Sequence, residues 1–204
     1  MHTHAEHLQE WVTRYAEGDD VALNELLQRS MDRLEVLTRV MFRDFVRLRR
    51  WEETGDVLQN ASLRLCRALL ATRPVDVRGF LALASLQIRR ELTDLVRRHF
   101  GPEGIGANHE TLDSISSDRS STTALPVAPA SGSFDPGKLA IWSEFHREAS
   151  QLPNDEREVF DLIYYHGFSQ IEAARVLDIS ERTLQRRWQT ARLNLHDALN
   201  GQLP

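Results

Sequence analysis

The side chains best suited to chemistry in this sequence are arginines and glutamines that follow a short turn near its C-terminal end. Arg182, Arg186 and Gln189 recur at steps of four and three, so they share one face of a predicted helix that begins at Glu181. Arginine and glutamine carry paired hydrogen-bonding groups that match the edges of guanine and adenine in the major groove. The pattern therefore indicates sequence-specific contact with DNA.

The rest of this predicted helix supports the same interpretation. Arg187 and Arg192 are placed to reach phosphates, while Gln185 and Thr183 flank the outward face. The alternative is a solvated helix face that is rich in arginine because arginine is a good helix former. We take as candidate DNA contacts the residues Ser180, Glu181, Arg182, Thr183, Gln185, Arg186, Arg187 and Gln189.

Two capped helices must position these side chains. Ser169 precedes Glu172 by three residues, which is the spacing of a capping box, and a short helix should run from there to about Leu177. Asp178 and Ile179 form the turn, and a second helix is predicted after a serine cap at position 180. An inward stripe is predicted on that second helix at Leu184, Trp188, Ala191 and Leu195.

This C-terminal stretch resembles region four of bacterial extracytoplasmic-function (ECF) sigma factors. The match lies in LP at 152–153, EREVF at 156–160, GFSQIEAA at 167–174 and IS.RTLQRRW at 179–188. The resemblance implies a helix-turn-helix that reads the upstream, or minus-thirty-five, promoter element. A helix-turn-helix by itself is shared by many regulators, so the specificity of this assignment depends on the rest of the chain.

Four further helices are predicted in the N-terminal half from apolar residues at helical spacing. They cover residues 8–15, residues 21–50, a segment that follows the break at 54–56, and residues 78–100, where Gly101 and Pro102 stop the last one. The third has an inward stripe at Leu58, Ala61, Leu65 and Leu69. The first half of the fourth helix is apolar nearly all round, which implies burial between neighbours.

The second half of the fourth helix is predicted to have a polar outer face. Leu92, Leu95 and Val96 continue its inner stripe. Such a face is suited to gripping nucleic-acid backbone or an opened strand, although an ordinary solvated face is the alternative. The outward residues are Arg90, Thr93, Asp94 and Arg97, with Arg89 and Arg98 beside them.

The order of these helices resembles region two of the same sigma factors. GDDVALNELL at 18–27 resembles its entry, and DVLQNASLRL at 56–65 resembles the segment that docks on RNA polymerase, with Asn60 where an acidic residue is usual. The resemblance implies docking through Asp56, Gln59, Asn60 and Leu63. The segment at 78–98 resembles the one that melts and reads the minus-ten element, with Phe80 in place of the usual Trp and Ser85-Leu86 in place of a common Arg-Asn pair.

Residues 101–137 are dense in Gly, Ser, Thr and Pro and are predicted to be a flexible linker. The sequence thus predicts an all-α protein of two small helical domains, residues 1–100 and 138–204, joined by that linker. The net charge is −5, with an acid excess mainly in the linker and at 155–161. A weakly charged chain should bind free DNA poorly, which favours a subunit that binds promoter DNA after joining core RNA polymerase.

Other function classes have little support. No phosphate loop, nucleophile elbow or zinc-protease motif occurs, so we expect neither an enzyme nor a cofactor. Cys66 is the only cysteine, and the histidines do not form a metal-ligand pair, so no metal is expected. No membrane-spanning run or signal peptide is present in the sequence, and we expect a cytoplasmic protein.

Two alternative functions remain open at this level. A free-standing helix-turn-helix regulator would dimerise and bind DNA without polymerase. A helical adaptor or sigma mimic would bind a partner without any promoter output. Members of the resembling family are commonly held by anti-sigma factors, so the resemblance admits such a partner, although no residue of this sequence identifies one.

Overall fold

A computed structural model of the chain describes residues 4–41, 54–100 and 136–202, and every regular element within these stretches is helical. The prediction of an all-α fold is confirmed. None of the helices in the described stretches is long and apolar enough to cross a membrane. The helices are α1 (His4–Ala16), α2 (Asp20–Met41), α3 (Thr54–Thr72), α4 (Val77–Phe100), α5 (Pro136–Gln151), α6 (Asn154–Phe160), α7 (Gln170–Val176) and α8 (Glu181–Ala198).

Short polar side chains define several helix starts. The Asp19 carboxylate accepts a hydrogen bond from the Val21 amide at 2.8 Å at the start of α2. The predicted cap Asp76 accepts one from the Gly79 amide at 2.7 Å at the start of α4. These contacts satisfy backbone donors that the first helical turn leaves unpaired.

The helix bounds differ from the predicted ones mainly at the ends. α3 begins at Thr54, so the predicted break at 54–56 lies within its first turn. The predicted C-terminal part of the second helix, residues 42–50, lies outside the described residues, as does most of the predicted linker, residues 101–135. The first helix after the linker starts at Pro136.

The apolar stripes predicted on the N-terminal helices are mostly buried where the structure describes their side chains, and Leu58 lies outside those residues. Leu26 of α2, Leu65 and Leu69 of α3, and Phe80 and Ala84 of α4 are all at most 1% exposed. They join Leu8 and Val12 of α1 in one cluster. Burial of these side chains is the main favourable term that holds the four helices together.

Helices from both halves of the chain share the same two cores. Ile88, Leu92 and Leu95 of α4 pack in one cluster with Phe145 of α5 and Leu195 of α8. The other cluster joins α1, α3 and α4 to α6, α7 and α8. The predicted helical modules are therefore in direct contact in this structure, with α4 packed along α5.

A π-helical turn, Asp161–Tyr165, continues α6 and ends at the interface between the halves. The His166 amide donates to the Asp161 carbonyl at 3.1 Å, which is the wider π-type bond. Gly167 follows with φ +71°, a left-handed conformation that glycine adopts at little cost. This turn sends the chain from α6 into α7.

Candidate nucleic-acid interface

The turn between α7 and α8 is fixed by reciprocal caps. The Ser169 amide donates to the Glu172 carboxylate at 3.0 Å, and the Glu172 amide donates to Ser169 Oγ at 3.3 Å, so the predicted capping box is confirmed. Ser180 Oγ accepts from the Thr183 amide at 3.2 Å and caps α8. Between the helices, Asp178 takes the left-handed conformation at φ +52°. These bonds fix the start of each helix on either side of the turn.

The inward stripe of α8 fixes which face points out. Leu184 and Ala191 are fully buried, and Leu195 is 2% exposed. Trp188 is partly buried and stacks on Phe160, with ring centroids 5.7 Å apart. The candidate DNA contacts that are exposed on the other faces are Ser180, Glu181, Arg182, Gln185, Arg186 and Gln189.

Two candidate contacts on α8 are already engaged within the protein. Arg187 is partly buried and forms an ion pair with Asp155 of α6. Thr183 is also partly buried, and its Oγ1 lies 2.9 Å from Ser180 Oγ. Both side chains sit at the edge of the outward face, beside the exposed row that begins at Arg182.

The second half of α4 presents a smaller polar face. Arg90 and Arg97 are exposed, whereas Thr93 and Asp94 are partly buried. Thr93 Oγ1 donates to the Arg89 carbonyl at 2.9 Å, and Arg64 of α3 donates to Asp94 at 2.6 Å. The predicted outward residues therefore include two exposed arginines and two side chains that are held by neighbours.

Arg89 differs from its predicted position beside the outward face. It is only 6% exposed and forms an ion pair with Asp161 of the π-helical turn. Its Cζ also lies 5.2 Å from the centre of the Tyr165 ring. The sequence prediction missed this because Asp161 and Tyr165, the partners of Arg89, lie in the C-terminal half, more than 70 residues away.

The predicted polymerase-docking face lies on α3. Gln59 and Asn60 are exposed, and Leu63 is 49% exposed, which is high for a large apolar side chain. Asp56 belongs to the first turn of the same helix, although its side chain lies outside the described residues. Spacings of three and four residues put these positions on one side of α3.

Sequence reasoning also missed a set of polar contacts between the halves. Arg33 of α2 donates to the carbonyl oxygens of Tyr164 and Tyr165, at 2.7 and 2.9 Å. Arg78 of α4 donates to Glu158 of α6 at 2.5 Å. One feature of the sequence did indicate such contacts. The first half of α4 is apolar nearly all round, which predicts neighbours on every side of the helix.

Burial changes the protonation of the groups at this interface. Desolvation raises the pKa of Asp161 to about 6 against the attraction of Arg89, so the carboxylate is charged at neutral pH. Desolvation also lowers the pKa of His146 to about 3, with a smaller contribution from Arg89. His146 is therefore neutral at pH 7, where its Nδ1 lies 2.8 Å from the Tyr165 hydroxyl. In the three described stretches, no three His, Cys, Asp or Glu side chains converge as metal ligands.

Comparison with known proteins identifies the family. A search of curated proteins gave no match. A family model described as ECF sigma factor matches residues 5–201, which is nearly the whole chain. Along the chain, that span includes the α3 face, the α4 face and the capped helix-turn-helix, in the order expected from the resemblance. The chain therefore belongs to the ECF sigma factor family and is an RNA polymerase sigma factor that directs transcription initiation at promoters.

Proposed function

We propose that three separate surfaces carry out this function. The exposed face of α3 binds core RNA polymerase, the second half of α4 holds the opened minus-ten element, and α8 enters the major groove at the minus-thirty-five element. Residues 1–100 and 138–204 act as the two working modules, and residues 101–137 connect them. The partners are inferred from the family. The surface that binds each partner is inferred from the exposed side chains described above.

The observation that carries the proposal is the division of α8 into two faces. Leu184 and Ala191 are fully buried, while Arg182, Arg186 and Gln189 are exposed on the opposite side. The buried stripe anchors the helix, and the exposed row presents bidentate donors and acceptors to solvent. This is the arrangement by which a recognition helix reads base edges.

The α4 and α3 assignments are supported by exposure and charge. Arg90 and Arg97 are exposed on a helix whose other side is buried, as required of a face that neutralises phosphates. On α3, the half-exposed Leu63 beside Gln59 and Asn60 forms a mixed apolar and polar patch. A patch of this kind suits a protein partner better than nucleic acid.

We further propose that the protein acts in the cytoplasm, where bacterial polymerase and chromosomal promoters are found. Membership of the family makes an anti-sigma factor a natural additional partner. Such an inhibitor would act by covering one or more of the three surfaces above.

The proposal can be tested by run-off transcription on genomic fragments. Purified core RNA polymerase should give discrete, promoter-dependent transcripts only when this chain is added. Footprinting of the same complexes should protect two separate elements, one upstream and one downstream. A chain that protects a two-fold symmetric DNA site without polymerase, or binds polymerase and yields no transcript, would contradict the proposal.

A further inference from the structure

α4 has a second polar face, which the candidate nucleic-acid interface does not use. Arg78, Leu81, Ser85 and Arg89 follow one another at steps of three, four and four, so they lie along one side of the helix. Arg78 pairs with Glu158, and Arg89 pairs with Asp161. The whole side therefore faces α6 and the turn that continues it.

The middle of this face is held by one histidine. His166 Nε2 lies 2.8 Å from Ser85 Oγ and 2.9 Å from the Leu81 carbonyl oxygen. Because a carbonyl oxygen only accepts, the contact with Leu81 requires Nε2 to carry the proton. The histidine follows the π-helical turn directly, so it links the end of that turn to α4.

Arg33 of α2 contacts the same π-helical turn. Its guanidinium donates to the Tyr164 and Tyr165 carbonyls at the C-terminal end of the π-helical turn. Helix C-terminal carbonyls lack intrahelical partners and carry partial negative charge, so a cation there is favourable. The N-terminal half thus supplies the C-terminal cap for a helix of the other half.

In the closed arrangement, the protein is too narrow to contact both promoter elements at the same time. Centres at minus ten and minus thirty-five are about 25 base pairs apart, or about 85 Å along B-form DNA. The described residues share two cores, and a compact body of their size has a radius of gyration of about 15 Å and a width of about 40 Å. The α4 and α8 faces must therefore separate before both can be occupied.

We propose that Arg33, Arg78, Ser85 and Arg89, with Glu158, Asp161 and His166, form a latch that holds the free sigma factor closed and must open when it is loaded on polymerase and promoter. The inference rests on the proposed function for the two DNA-reading surfaces. The latch itself concerns the free chain and can be measured without polymerase or DNA.

The chemistry of the latch suits a contact that has to open. In the described part of the chain, Arg89 Nε and His146 Nε2 are buried without a hydrogen-bond partner. Arg89 Nε regains water when the halves separate, which lowers the cost of opening. Arg78 and Glu158 are partly exposed, so their ion pair adds little to closure.

The sharpest test is Asp161→Asn in the full-length chain, measured by small-angle X-ray scattering. The substitution keeps the shape of the side chain and leaves the Arg89 charge buried without a counter-ion in the closed form only. We expect the equilibrium to shift toward the open form on the order of a hundred-fold. The radius of gyration should rise from the smaller value of the closed wild-type chain toward about 25 Å, the value for two modules held apart by a linker.

Two further variants separate opening from general damage. Glu144→Gln removes an ion pair with Arg147 that lies within α5, and should leave the radius of gyration unchanged. Arg89→Met combined with Asp161→Leu replaces the buried pair with apolar side chains and should restore the compact form. Circular dichroism should report unchanged helix content for all of these variants.

Opening should also be visible in polymerase loading. The apparent dissociation constant for core polymerase equals the intrinsic constant divided by the fraction of free chains that are open. Where nine in ten free molecules are closed, Asp161→Asn should therefore lower the apparent constant about ten-fold. An extended wild-type chain, or a compact Asp161→Asn variant, would overturn the latch. If Asp161→Asn expands the chain as expected but the wild-type protein fails to direct promoter-specific transcription, the proposed function would be overturned and the latch would stand.

Discussion

The guanidinium of Arg33 lies against the backbone of Gly167, 134 residues further along the chain. A Cβ atom built on Gly167 would be 3.0 Å from Arg33 Cζ and 3.2 Å from Nη2. Gly167 also has φ +71°, which a side chain tolerates poorly. The same glycine therefore turns the chain just after the π-helical turn and leaves room for the arginine that caps that turn.

Gly167→Ala should destabilise the protein through both effects. Left-handed strain alone costs about 1–2 kcal/mol, and displacement of Arg33 from the two carbonyls should add about 1 kcal/mol. The free energy of unfolding from urea titration measures the sum. When the change is combined with Arg33→Ala, the total loss should be smaller than the sum of the two single losses, since no arginine is then left to be displaced.

Gly201→Ala is the matched control for this prediction. Gly201 has φ +79°, and its added Cβ would meet His196 Nε2 only at 3.5 Å, an ordinary contact. It should therefore show the backbone cost without the collision. Equal losses of stability at Gly167 and Gly201 would contradict the role given to Arg33.

Arg186→Ala should lower promoter-specific transcription while leaving polymerase binding intact. Loss of a bidentate base contact costs about 1–3 kcal/mol, or roughly 5-fold to 150-fold in promoter affinity. Run-off transcription measures output, and gel filtration with core polymerase measures docking. Arg147→Ala, which removes an exposed arginine of α5 that pairs with Glu148 at 2.9 Å, should change neither. An unchanged promoter output for Arg186→Ala would defeat the assignment of α8.

Leu63→Ala should weaken binding to core polymerase. Leu63 is 49% exposed in the free chain, and truncating an apolar side chain that becomes buried in a complex costs about 1 kcal/mol, or roughly five-fold in affinity. Titration calorimetry or surface binding to core polymerase measures the change. Leu193→Ala on α8, where the leucine is 62% exposed, should have no such effect. Equal weakening by the two variants would show that α3 is not the docking surface.

The helices and their caps were predictable because the signals that form them are local. Ser169, Glu172 and Ser180 act within three residues of themselves, and the buried stripe of α8 follows from a 3.6-residue period. The identity of the outward face of α8 follows from the same stripe. These features depend on chain segments of less than 20 residues, so a single sequence contains them.

The packing between the halves was not predictable for the opposite reason. Arg89 and Asp161 are 72 residues apart, and on either helix alone a charged residue beside an apolar stripe is expected to face solvent. Only the three-dimensional arrangement puts them in the same buried place. The π-helical turn that positions Asp161 has no distinct sequence signal, because its residues also suit an ordinary α-helix.

His146 should make the stability of the wild-type protein sensitive to acid. Its buried ring has a pKa of about 3, against 6.5 when exposed, so the unfolded chain takes up a proton that the folded chain does not. The stability contribution is fully present above pH 6.5 and is lost as pH falls toward 3. At 1.36 kcal/mol per unit of pH, the loss at pH 5 is about 2 kcal/mol.

His146→Gln should therefore flatten the pH profile of stability between pH 7.5 and pH 5. Glutamine cannot take up a proton and still offers a polar group to the Tyr165 hydroxyl. Asp161 acts in the opposite direction, because its raised pKa favours the folded form as pH falls through about 6, and it does so equally in both proteins. Subtracting the two urea-denaturation profiles thus isolates His146. His196→Gln, at an exposed position of α8, should keep the wild-type profile, and parallel profiles for the wild type and His146→Gln would show that the buried ring does not govern acid sensitivity.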